Sequence, residues 1–189
     1  MVRDSEATQQ RLLSAARRQF AANGFERSTV RDIAAAAGVN VALISRYFGG
    51  KDELFARAVA IDLELPDLRN AAREDIGARL VDHFFKRWEG SEADDLLRVL
   101  VRTAATNSAA AAKISEILHG QILPMVVRLS GEQGARRRAS LIATQILGLA
   151  YCRYVLNLGD DHLDPHQAVI AIGDTLQRYL FDGVELAAP

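Results

Sequence analysis

The chain has 189 residues, a formal charge of −1, one cysteine and four prolines, and no apolar run reaches the ~18 residues a membrane span needs. A lone Cys152 excludes an internal disulfide framework and suits a reducing compartment. The start, MVRDSEATQQRLL, lacks the apolar core of a signal peptide, so a soluble cytoplasmic protein is expected. The charge is unevenly spread. Residues 1–60 hold nine Lys/Arg against six Asp/Glu, and the remainder is acidic, a balance that suits a head meeting a polyanion.

Strand signals are almost absent and three-four periodicity is widespread. Leu13, Ala16 and Phe20 form an apolar stripe that Gly24 stops, with Phe25 expected to fold back on the last turn. Ser28 or Thr29 offers an N-cap, and Asp32 stands three residues after Thr29 as in a capping box. Val30, Ile33, Ala34 and Ala37 make the next stripe, ended by Gly38. Asn40 caps a third helix, with Leu43, Ile44 and Phe48 inward, and Gly49-Gly50 stop it. A fourth helix is expected from Lys51 to Leu68, ended by Pro66-Asp67. Further helices are expected at about 72–89, 93–107, 111–130, 134–158 and 165–182, the last started by Asp164 with Pro165 at its first position. The fold expected is all-α: a three-helix helix-turn-helix domain at 1–55, then a helical ligand-binding and dimerisation domain at 56–189, about nine helices together.

The stretch GVNVALISRYFGGK, Gly38 to Lys51, carries the functional signal. A helix of about two turns is unstable alone and must pack on its neighbours. Two short helices joined at a glycine corner form a helix-turn-helix, whose second helix enters the major groove of DNA. Packing through Leu43, Ile44 and Phe48 leaves Val41, Ala42, Ser45, Arg46 and Tyr47 outward. Val41 and Ala42 allow close approach and can meet a thymine methyl; Ser45 and Arg46 reach base edges or phosphate. Tyr47 and Lys51 are placed to grip phosphate, and Ser28 or Thr29 presents a helix N-terminus to another.

Residues 8–55 resemble the N-terminal DNA-binding domain of the TetR/AcrR family of transcriptional regulators, through AARRQFAANGF, STVRDIAAAAGV and the ending Tyr47-Phe48 … Lys51-Asp52-Glu53-Leu54. The resemblance implies an all-helical homodimer with a C-terminal ligand pocket and repression relieved by a small molecule. By position it places DNA contacts on Thr29, Asn40, Val41, Ala42, Ser45, Arg46, Tyr47 and Lys51. Two departures stand out: Ala42 where members often have glycine, and Ser45 where they have an aromatic residue. The stretch LIATQILGLAYCRYVLNL … TLQRYL resembles the last two helices of one subgroup.

In the second domain, Leu141, Gln145, Gly148, Cys152 and Val155 follow helical spacing, as do Ile172, Leu176 and Tyr179. Both stripes are expected in a four-helix dimer interface, with Gly148 allowing close approach. Phe84, Trp88, His119, Met125 and Tyr151 are the candidates for an apolar pocket with a few orienting polar groups. The run Asp160, Asp161, His162, Asp164 and His166 looks metal-like but reads as a linker and helix start, so neither metal nor cofactor is expected. No acid-base or nucleophile motif is present, so the chain is not expected to be an enzyme. The reading is a ligand-responsive repressor that binds a near-palindromic duplex as a homodimer, without a membrane partner. An activator, a ligand-independent DNA binder, or a helical enzyme retaining the helix-turn-helix are the alternatives.

Overall fold

Helix α1 (Val2–Arg27) is interrupted at Gly24, where φ of 74° leaves helical space. The computed structural model describes residues 2–89, 92–158 and 164–182, and every regular element among them is helical. The break lets Phe25 turn back, so its ring lies 6.0 Å from Phe20 and 4.9 Å from Phe55. Thr29 then caps α2 (Val30–Ala37) by accepting from the Asp32 N–H at 3.1 Å, while its hydroxyl donates to the Asp32 carboxylate at 2.6 Å.

Gly38 ends α2 at φ 65°, ψ 38°, a conformation that favours glycine. The Val39 N–H donates to Ala34 O and the Gly38 N–H to Ala35 O, both at 3.0 Å, the paired closure of a Schellman turn. The Asn40 side chain accepts from the Ala42 N–H at 2.9 Å and opens α3 (Ala42–Phe48). Ile44 and Phe48 are buried beneath it. Gly49 at φ 82° releases the chain into α4 (Lys51–Ala58).

The fourth helix ends ten residues earlier than its sequence suggests: α4 stops at Ala58, and 60–68 has no helix. Arg17 Nε donates to Ala58 O at 3.1 Å and closes the helix there. Apolar spacing alone could not distinguish a continued helix from an irregular segment, because Ile61 and Leu68 are buried without one.

Helix α5 (Ile76–Glu89) follows a 3-10 turn at Arg73–Asp75. Then come α6 (Glu92–Thr103) and α7 (Ser108–Ile117). A π turn at Leu118–Ile122 leads into α8 (Leu123–Ser130), followed by α9 (Ala135–Tyr154) and α10 (Pro165–Phe181). No described helix is long and apolar enough to cross a membrane.

The chain forms two compact units, Met1–Ile61 with Ser91–Ile114, and Asp62–Gly90 with Ser115–Pro189. This partition differs from a single cut after residue 55, because α6 packs on α1 and buries Leu96, Leu97 and Leu100. Asn107, at the start of α7, donates to the Asp52 carboxylate within the first unit. In the second unit α5 and α10 form the most extensive helix pair. A Cβ on Gly77 would lie 2.1 Å from Gly173 O, and one on Gly173 would lie 2.9 Å from Ala78 Cα, so the two backbones touch. Gln177 spans the contact, accepting from the Gly77 N–H at 2.8 Å and donating to Arg73 O at 2.7 Å.

Candidate functional site

The outward surface of the first unit is built by the α2–Gly38–α3 corner. Ile33, Ala34, Ile44 and Phe48 hold the two short helices down, and Val41, Ala42, Ser45 and Arg46 are exposed. Val41 is an apolar side chain left 40% exposed beside exposed Ala42, so the start of α3 presents a small apolar face. The Arg46 guanidinium lies 5.9 Å from the Tyr47 ring centroid. Tyr47 is half-buried, and its ring is close to perpendicular to that of Phe48 at 6.5 Å. Lys51 rests its ammonium 4.2 Å from the Phe25 ring centroid and reaches Glu26 O at 3.5 Å. Asn40 and Thr29 are exposed, but both side chains are engaged in capping.

Ser28 is different from its neighbour. It is 1% exposed, and its hydroxyl points to Gly24 O at 2.7 Å and Gln19 O at 3.0 Å. It secures the broken end of α1 and is not available to a phosphate. Arg31, exposed in the first turn of α2, was not singled out by sequence, although a cation beside a helix N-terminus is a recognisable phosphate-contact pattern.

The second unit contains a half-open cavity of ≈ 70 Å³. Leu80, Phe84, Trp88, Met125, Ile142 and Leu176 supply much of its nearly wholly apolar lining. Three of the expected residues, Phe84, Trp88 and Met125, are therefore brought together. His119 and Tyr151 are not: both are exposed, and neither lines the cavity. His119 Nδ1 turns to Ser115 O at 2.8 Å. The imidazole that does line it is His83, whose Nε2 donates to Leu63 O at 2.9 Å, leaving Nδ1 as an acceptor in the neutral ring. Arg87 lines it too and donates to Asp62 O at 3.1 Å. Leu63 and Leu65 complete the wall from the irregular segment, and Gln121 fixes that segment by accepting from the Leu63 N–H at 2.8 Å.

Behind the cavity Trp88 stacks on Tyr154 at 5.0 Å with rings 8° from parallel. Burial raises the Tyr154 phenol pKa above its ordinary value, and donation to the Glu89 carboxylate at 2.9 Å adds to the shift. The phenol stays protonated at neutral pH and anchors the stack to Glu89, which Arg153 also contacts at 3.2 Å.

The expected dimer stripes divide in two. Ile172 and Leu176 are buried inside the chain, Leu176 against the cavity, so they are core rather than interface. Leu141, Gln145, Val155 and Tyr179 are half-buried. Gly148 and Cys152 are exposed, Tyr151 beside them is 39% exposed, and Ile170 on α10 is 54% exposed. A Cβ on Gly148 would meet nothing within 4 Å.

Of the metal-like run, Asp160, Asp161 and His162 lie outside the described residues. The Asp164 carboxylate accepts from the Gln167 N–H at 2.9 Å as an N-cap, and His166 is exposed.

These features define an all-helical protein whose head carries a helix-turn-helix with a small and cationic outer face, and whose body contains an apolar cavity. Residues 12–58 match the family described as bacterial regulatory proteins, tetR family, and residues 74–180 match the tetracyclin repressor-like C-terminal domain. The second match alone spans more than half of the chain, and the chain belongs to the tetR family of bacterial regulatory proteins. No curated protein matches it. Among solved structures, it is similar to a TetR-family regulator from Streptomyces coelicolor A3, with 27% identity, TM-score 0.51 and coverage of 93% of this chain and 95% of that one. It shares the fold of SmeT, the repressor of the Stenotrophomonas maltophilia multidrug efflux pump SmeDEF, at 22% identity, TM-score 0.65 and 98% and 96% coverage. It also shares that of NalD, the secondary repressor of the MexAB-OprM pump in Pseudomonas aeruginosa, at 19% identity, TM-score 0.63 and 94% and 97% coverage.

Proposed function

We propose that this protein is a ligand-responsive transcriptional repressor of the cytoplasm, with a regulatory rather than a catalytic role. Two copies present their α3 helices about 34–36 Å apart, one DNA turn, to successive major-groove faces of a near-palindromic operator. Val41, Ala42 and Ser45 face the bases, Arg46 reaches a phosphate as well as base edges, and Thr29, Asn40, Tyr47 and Lys51 face the backbone. The observation that carries this is the separation of faces on α3, with Ile44 and Phe48 buried while Val41, Ser45 and Arg46 stand exposed.

The copies meet through the outward face of α9 and α10. Gly148, Tyr151, Cys152 and Ile170 lie there, and open space at the Gly148 Cβ position leaves room for a second backbone. A small molecule entering the cavity beside Phe84, Trp88 and Met125 shifts the body toward a state of lower operator affinity. It does so by as much as its own affinity differs between the two states.

Selection of bound duplexes from random DNA provides the operator. On it, Arg46→Ala and Lys51→Ala are each expected to weaken binding and to lower the salt slope of log K by about one. Unchanged slopes in both variants would remove these residues from the interface. A promoter reporter then distinguishes repression from activation.

A further inference from the structure

The second unit contains a second hollow, unrelated in chemistry to the apolar cavity. It is a cleft of ≈ 580 Å³ lined by Arg69, Arg73, Arg128 and Arg138, with no carboxylate in its lining among the described residues. Its floor is apolar and includes buried Ile76 and Leu180. Like charges gathered around one concavity focus a positive potential and raise the local concentration of anions.

The four guanidinium groups are not equivalent. Arg69 is committed to Asp67 by a pair at 2.6 Å, and its hydrogen bonds hold that carboxyl at a pKa of about 2. Arg138 donates to Gly131 O at 2.6 Å and Ser130 O at 3.2 Å, and so closes the end of α8. Arg73 lies over the Phe181 ring, 4.4 Å from its centroid. Neither Arg73 nor the exposed Arg128 has a described carboxylate within 4 Å, although Arg128 is near enough to Asp67 to help lower its carboxyl.

A third hollow of ≈ 290 Å³ lies between cleft and cavity. It shares Leu65 and Met125 with the cavity, and Arg69, Arg128, Leu68 and Leu129 with the cleft, and its own Asp67 carboxylate is the one already paired with Arg69. The partition on the cavity side is thus made by one methionine, an adaptable side chain, and one leucine on a segment without helical hydrogen bonds. The cavity alone, at ≈ 70 Å³, is far below the roughly 300 Å³ at which ligand pockets begin. A ligand seated there must extend elsewhere, and the route past Leu65 and Met125 ends among arginines.

We propose that this row of hollows takes a single amphipathic anion, with its aliphatic chain in the cavity beside Trp88 and its carboxylate or phosphate head between Arg73 and Arg128. The assignment names the effector class and rests on the regulator reading above. The reverse orientation would place hydrocarbon among the cleft's guanidinium groups and leave an anion in the cavity with only His83 and Arg87, which already donate to Leu63 O and Asp62 O, among apolar side chains.

Trp88 is the chain's one tryptophan and reports occupancy of the cavity directly. Intact protein is titrated with laurate, dodecyl phosphate and dodecanol below their aggregation limits, following Trp88 emission and heat. A saturable emission change is expected with laurate or dodecyl phosphate, with dodecanol binding about tenfold or more weakly. The tighter of the two anions identifies the head. The double variant Arg73→Gln, Arg128→Gln is expected to lose about tenfold in anion affinity and nothing toward dodecanol. Its unchanged thermal melting confirms that it folds, and Arg136→Gln, outside the cleft, is expected to bind as the parent does. Equal affinity for laurate and dodecanol, an unaffected double variant, or heat of binding without a Trp88 response would each overturn the assignment. Release of operator DNA by some other compound, with laurate and dodecyl phosphate ignored, keeps the regulator reading and removes this one. Arginine-dependent laurate binding without any effect on operator DNA does the opposite.

Discussion

Ser28 and Thr29 are neighbours with nearly the same side-chain chemistry and separate roles. The sequence offers both hydroxyls to the start of α2. The interruption at Gly24 decides between them, because the Gly24 carbonyl is released from the helical ladder and Ser28 turns inward to satisfy it at 2.7 Å. Ser28→Ala is therefore expected to lower stability by about 1 kcal/mol in a denaturant melt. Operator affinity per folded molecule, and its salt slope, should not change; a reduced slope would return Ser28 to the DNA contacts. His119 shows why the pocket was only partly legible. An unbroken α-helix over 111–130 would repeat every 3.6 residues, but the π turn at Leu118–Ile122 adds a residue to one turn. The register slips there, His119 ends outside, and Ile122 and Met125 reach the cavity. Nothing in the apolar pattern announces that extra residue.

At the level of elements, what was legible is what local chemistry controls. The stops at Gly24, Gly38 and Gly49 and the caps at Thr29 and Asp164 stand where short-range rules put them. The three-helix head could be assembled from them. The run after Ala58 could not, because its path depends on partners far along the chain, Gln121 and His83, which hold Leu63 by its backbone. Glycine gave a similar lesson. Gly148 looked like the point of close helix approach, yet within the chain that contact belongs to Gly77 and Gly173, which occupy no conspicuous sequence pattern. Gly77→Ala is expected to destabilise by about 2–3 kcal/mol, since a methyl group would have to displace backbone rather than a flexible side chain. Urea unfolding measures it, and a loss below about 0.5 kcal/mol would mean that α5 and α10 separate easily.

For the molecule as a whole, the proposed dimer gives Gly148 a role between copies rather than within one. In an isolated protomer a side chain there enters open space, so Gly148→Arg should leave helical content intact. Light scattering at micromolar protein is expected to find a dimer for the parent and a monomer for the variant, with operator binding weakened in step. A variant that stays dimeric would move the interface away from this part of α9. The backbone contact at Gly77 and Gly173 has one more consequence. Helices locked main chain to main chain cannot slide, so the side of the chamber formed by Leu80, Phe84 and Leu176 is an anvil. Swelling around a guest must be taken up opposite it, by Leu65 on its strap without helical hydrogen bonds, beyond the point where Gln121 and His83 pin Leu63, and by Met125. Hydrogen exchange would register that asymmetry as quickened amides on the strap against silence along α5 and α10.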